Sequence, residues 1–175
     1  MGGRERRLKK LSATNPDKPH ESSIFFVELS LGSTKVCDRL REAGAKIEIH
    51  KDHFKEDEDD QVWLREVGVR GWACLMKDER IRYRAVELEA LIQGKIPAFV
   101  FANGNLSAQT MAEAFAKALP KMKRYVGKYQ TPFIAKVYQD GGLTMWLDSV
   151  DLPIALENLL RSAQTRQEKH GKGNP

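Results

Sequence analysis

Gly71-Trp72-Ala73-Cys74-Leu75-Met76-Lys77-Asp78 is the stretch that decides the fold. Five apolar residues follow a glycine and are ended by two charges, the pattern of a short strand buried on both faces. Upstream, residues 59–70 have helical spacing, with Val62, Trp63, Glu66 and Val67 in register and acids at the favourable N-terminal end. Gly71 stops that helix. Further back, Lys46-Ile47-Glu48-Ile49-His50 alternates and predicts an edge strand. Ser33 caps a helix to about residue 43, with Val36, Cys37 and Leu40 on one face and Gly44 as its stop. Before it, Ile24-Phe25-Phe26-Val27 is another buried strand.

Downstream the alternation continues. Residues 83–92 are predicted helical, and Pro97-Ala98-Phe99-Val100-Phe101 is a fourth strand. Ser107 caps a long helix over about 108–126. Residues 133–138 and 143–146 flank Asp140-Gly141-Gly142 as a hairpin, and a short helix follows Pro153. Strands alternating with helices predict an α/β fold, a mainly parallel sheet with helices on both faces. Ligands then bind beyond the carboxyl ends of the strands.

Length and composition narrow the classes. The 175 residues fit one domain; 41% are hydrophobic and 30% charged, enough for a core. No run approaches the roughly 18 apolar residues of a spanning helix, and the basic N-terminus has no apolar signal core. Cys37 and Cys74 have neither metal-site nor disulfide-framework spacing, which suits a reducing compartment, so a cytoplasmic chain without membrane partners is expected. The net charge of +5 sits at the ends: residues 1–20 carry +4 and 161–175 carry +3, which leaves the body at −2. Lacking periodicity, 1–20 and 163–175 are expected as flexible basic tails around a domain at 21–162.

Three acidic positions fall on the active edge of such a sheet. Glu28 ends the first strand, Asp78 ends the third, and Asp60 or its neighbour Asp59 opens the helix leading into the third. Converging carboxylates repel unless a cation or proton intervenes, and oxygen-only ligands suit Mg²⁺ or Mn²⁺. Such an ion activates water and stabilises charge on a phosphate. The bland alternative is acids that are solvated or cap helices.

The run FFVELSLG…VCDRLREAGAKIEIHKDHF…DDQVWLREVGVRGWACLMKDERI resembles the PIN-like nucleases, and within them the small branch of VapC-type toxins. The likeness continues through GNLSAQTMAEAFAKALP and PFIAKVY, so it spans about 24–140. It implies a three-layer α/β/α fold and a metal-dependent endoribonuclease, the toxin of a toxin–antitoxin pair. Catalytic positions then fall on Glu28, Asp60 and Asp78, with Asp59 as a further metal ligand and Mg²⁺ or Mn²⁺ as cofactor. RNA and an antitoxin protein are the implied partners, with a homodimer left open. Glu28 departs from the family's Asp, and one extra methylene moves the carboxylate by more than about an ångström, which metal geometry tolerates poorly. A catalytically weakened module that binds RNA or a partner protein is therefore the alternative. The separate helical Glu of longer PIN domains has no evident counterpart.

Arg80, Arg82 and Arg84, interleaved with Tyr83, follow Asp78 and are suited to phosphates and a stacked base. Asn105, and Asn103 beyond the same fourth strand, are suited to orienting a phosphate or forming a turn. His50 and His53 lack a further ligand for zinc, so a solvated loop is expected there. The cations at 117, 121, 123, 124 and 128 complement a helix dipole. No phosphate-cradling glycine loop or nucleophile elbow is present.

Overall fold

A computed structural model describes residues 22–171; the expected N-terminal tail at 1–20 and residues 172–175 lie outside the described residues. The chain runs β1 (Ile24–Val27), α1 (Thr34–Glu42), β2 (Lys46–Ile49), α2 (His50–His53), α3 (Asp60–Val69) and β3 (Ala73–Met76). It continues through α4 (Ala85–Gln93), β4 (Pro97–Phe101), α5 (Ala108–Lys128), β5 (Phe133–Val137), β6 (Leu143–Leu147) and α6 (Asp151–Gly171). The six strands form one sheet in the order β2-β1-β3-β4-β5-β6. All pairs are parallel except β5–β6, the predicted hairpin. β1, β3 and β4 are parallel neighbours, so their carboxyl ends share one edge.

Alternation along the strands builds the layers. Phe25, Val27, Leu75, Phe99, Phe101 and Ala135 pack under α1 and α5. Phe26, Cys74, Met76, Ala98, Val100 and Ile134 pack against the other layer, made by α3, α4 and α6. A period of two divides one sequence between two cores, the α/β/α arrangement that buried strands require. Cys37 belongs to the first core and Cys74 to the second; both are buried and neither is bonded to the other. Between α3 and α4 the backbones meet at Gly68, where an added Cβ would lie 2.6 Å from the Cα of Gly94.

Several elements differ from expectation. In α3 the buried side chains are Trp63, Leu64 and Val67, while Val62 is 43% exposed, so the core-facing stripe is turned by about one residue. The helix expected over 83–92 begins only at Ala85. Asp78 accepts the Arg80 backbone N–H, which winds Glu79–Tyr83 into a 3-10 turn that ends on an extended Arg84.

The helix after the hairpin is longer than expected and runs on through 163–171, residues expected as part of a tail. Asp148 accepts the N–H groups of Val150 and Asp151 at its start. Pro153 stands in the first turn, where its missing donor costs nothing. Leu152 is buried, and Ala155, Leu156 and Leu159 pack on the second core. Good helix formers then carry the exposed continuation, aided by an Arg161–Glu157 pair at 2.5 Å.

Candidate active site at the carboxyl edge of the sheet

Glu28 leaves β1 still in sheet geometry, its N–H donating to the Leu75 carbonyl at 3.1 Å. Its Oε1 accepts the Lys77 backbone N–H and the Ser30 hydroxyl, each at 2.6 Å. Burial pushes this carboxyl above its ordinary value; the two hydrogen bonds oppose that shift, and the negative charges of Asp60 and Asp78 reinforce it. Asp60, the first residue of α3, accepts the Trp63 indole N–H at 2.8 Å. Asp78 lies just beyond β3. Burial alone would raise it, but hydrogen bonds from Arg80 and the charges of Arg80 and Arg84 hold it below the usual carboxylate range.

Glu28, Asp60 and Asp78 line one cavity of about 310 Å³, together with His50, Trp63 and Arg84. Asp59 does not line it and stands exposed at the N-cap of α3. Arg84 occupies the middle of the acids: its guanidinium lies 3.3 Å from Asp78, 3.9 Å from Asp60 and 3.1 Å from Glu87. Glu87, in the first turn of α4, is a helical glutamate that the sequence reading did not single out. Burial, the charge of Asp60 and a hydrogen bond shared with Asp60 push its pKa up to about 7, against the pull of Arg84.

His50 is not in a solvated loop. It is 2% exposed rather than solvated, ringed by Phe26, Phe54 and Trp63, and its Nδ1 has no hydrogen-bond partner. His53 instead pairs with Glu48 at 2.7 Å.

The residues expected to meet RNA divide among three places. Arg80 and Asn105, with Lys77 and Asn103, border a larger cavity of about 550 Å³ on the far side of Asp78. There the Asn105 N–H donates to the Asn103 side chain, and Gly104 lies so close that a Cβ would sit 2.9 Å from the Lys77 carbonyl. Arg84 is held by the acids. Arg82 and Tyr83 face α6, with the Arg82 guanidinium over both the Tyr83 and Trp146 rings at 4.3 and 4.9 Å.

The donor chemistry suits an oxygen-preferring divalent ion: carboxylates from three elements, Glu28, Asp60 and Asp78, line one cavity, and burial, reinforced by the charges of the other two, raises Glu28. As the side chains stand, no three Asp, Glu, His or Cys among the described residues come together closely enough to bind an ion. The guanidinium of Arg84 fills the space between them.

Residues 24–103, from β1 through the turn after β4, match the PIN-like domain family. Over this segment the chain is similar to a PIN-like domain. The chain is also 27% identical over 118 residues to a Mycobacterium tuberculosis protein named "Putative ribonuclease VapC45", a match covering 65% of this chain and 85% of the relative. No solved structure matches the chain at a significant level. Among the described residues no helix is long and apolar enough to cross a membrane. The matched PIN-like segment contains Glu28, Asp60, Asp78, Arg84 and Glu87, so the whole acidic cavity lies within it.

Proposed function

We propose that the protein is a metal-dependent endoribonuclease, the cytoplasmic toxin of a toxin–antitoxin pair. The observation that carries this reading is that Glu28, Asp60 and Asp78, from three separate elements, line one cavity at the carboxyl edge of the sheet. The VapC ribonuclease name of the relative supports the same substrate class. Glu28, Asp60 and Asp78 would hold Mg²⁺ or Mn²⁺, with Asp59 within a residue of the set. When bound, the ion supplies an activated water and neutralises charge on the scissile phosphate.

The chain's own groups do the rest. Arg80, Lys77 and Asn105 border the neighbouring cavity and hold the RNA backbone there. Tyr83, 60% exposed and backed by Arg82, offers a face for an unpaired base. An antitoxin would cover this edge and shut out RNA. The experiment is cleavage of a single-stranded RNA with Mn²⁺ and with EDTA, by the wild type and by Asp78→Ala. Divalent-dependent cleavage that Asp78→Ala lowers at least about a hundredfold supports the reading. Cleavage at the wild-type rate in the variant, or in EDTA, refutes it.

One observation favours the second reading, a module that binds RNA or a partner without cutting. Glu28 is already engaged by Ser30 and Lys77, in a site where, among the described residues, no three ligating side chains converge. RNA binding that needs no divalent ion and leads to no cleavage would decide for it.

A further inference from the structure

We propose that Arg84 is the resident cation of the acidic cavity, which a divalent ion must displace and which, once displaced, turns to the phosphates of single-stranded RNA. This rests on the metal-dependent reading above and adds an order of events to it: ion first, RNA second. Three carboxylates from different elements stand around one guanidinium, Asp60 from α3, Asp78 after β3 and Glu87 from α4. Asp60 and Asp78 belong both to this set and to the proposed metal ligands, so a guanidinium and a divalent ion compete for their lone pairs and repel each other.

A second feature points into the same cavity. His50 lines it with Glu28 and Asp60, is almost wholly buried, and carries an Nδ1 with no partner. An unpaired buried nitrogen is costly to keep. The wall of the cavity thus carries a polar atom that no described side chain satisfies. Arg84, paired with Asp60 and Asp78, is the cation that balances the acids there.

The position of Arg84 makes release feasible. It sits in extended backbone between the 3-10 turn and α4, its side chain is 43% exposed, and Asp78 retains Arg80 as a second partner when Arg84 leaves. By reciprocity, an ion that frees Arg84 tightens RNA binding, and RNA tightens the ion by the same factor.

The test uses the full chain at low ionic strength. Mn²⁺ binding is followed through the electron paramagnetic resonance signal of the free ion, for the wild type, Arg84→Gln, Arg84→Lys and Arg161→Gln. Arg161 lies on α6, so its variant loses the same charge away from the cavity. Arg84→Gln should bind Mn²⁺ about tenfold more tightly than wild type, a step of one decade in affinity. Arg161→Gln should stay within about twofold. Should Arg84→Gln fail to fold, Arg84→Lys serves, since a single ammonium cannot bridge three carboxylates and a smaller gain of the same sign is expected. A fluorescent phosphorothioate single-stranded RNA, read by anisotropy, should gain more affinity from Mn²⁺ with the wild type than with the variant.

Equal or weaker Mn²⁺ binding by the Arg84 variants, with the wild type binding normally, overturns the proposal and leaves the metal site standing. Mn²⁺ binding by neither wild type nor variants removes the metal-dependent reading and this inference together. An equal gain in RNA affinity for wild type and Arg84→Gln overturns the turn of Arg84 toward phosphate.

Discussion

Glu28 satisfies a backbone donor and, in the proposed site, would also hold the ion, so removing its side chain outright takes both away at once. Its Oε1 satisfies the Lys77 backbone N–H, so Glu28→Ala leaves a half-covered donor unpaired and should cost about 1–3 kcal/mol in urea denaturation. Glu28→Gln keeps an acceptor at the same reach and should stay within about 0.5 kcal/mol of wild type while losing Mn²⁺ affinity in calorimetry. Glu28→Asp is too short to reach both donors and should fall between them in stability. Glu87 gives the pH dependence. Its folded value of about 7 lies above the ordinary 4.5, so the unfolded chain releases this proton first as pH rises. In the metal-free protein its contribution is full below pH 4.5, is lost between 4.5 and about 7, and is flat above. Glu87→Gln should remove a slope on the order of 2 kcal/mol across that window, measured by denaturation at a series of pH values.

At the scale of elements, the close approach at Gly68 sets how near α3 stands to α4. Gly68→Ala puts a methyl group against the Gly94 backbone, and the helices must part by a fraction of an ångström or more. A loss of about 1–3 kcal/mol is expected, seen as a lower Tm. Because α3 carries Asp60, one of the proposed ligands, the same change should also weaken Mn²⁺ binding. These helices also show where the sequence was readable. β1, β3 and β4 were legible because runs such as Phe25-Phe26-Val27 and Ala98-Phe99-Val100 have only one comfortable place, a covered sheet. Glu28 and Asp78 stood out at strand ends and Asp60, with Asp59, at the entrance of a helix; Glu28, Asp60 and Asp78 line one cavity. Glu87 did not, because its place beside Asp60 depends on the 3-10 turn at Glu79–Tyr83, which resets the phase of α4. Nor did the burial of His50, which three aromatic rings from separate segments create. The length of α6 escaped because residues 161–169 are all exposed and leave no apolar stripe to read.

Across the whole molecule, the sheet keeps its two thiols apart, one in each core, with their pKa values raised by burial. No oxidant can join them while the layers are closed, since a disulfide needs Cα atoms within about 7 Å and side chains on the same side. Each sulfur instead becomes a clock for the layer that hides it. Cys74 sits on β3, inside the sheet, and a thiol reagent should label it only at the rate of global unfolding. Cys37 rides on α1, over the edge formed by β2 and β1, and should be labelled no later and at lower denaturant, read by mass spectrometry of the tagged peptides. Equal rates at both would mean that the two cores open in a single event, with the sheet as the common wall that fails.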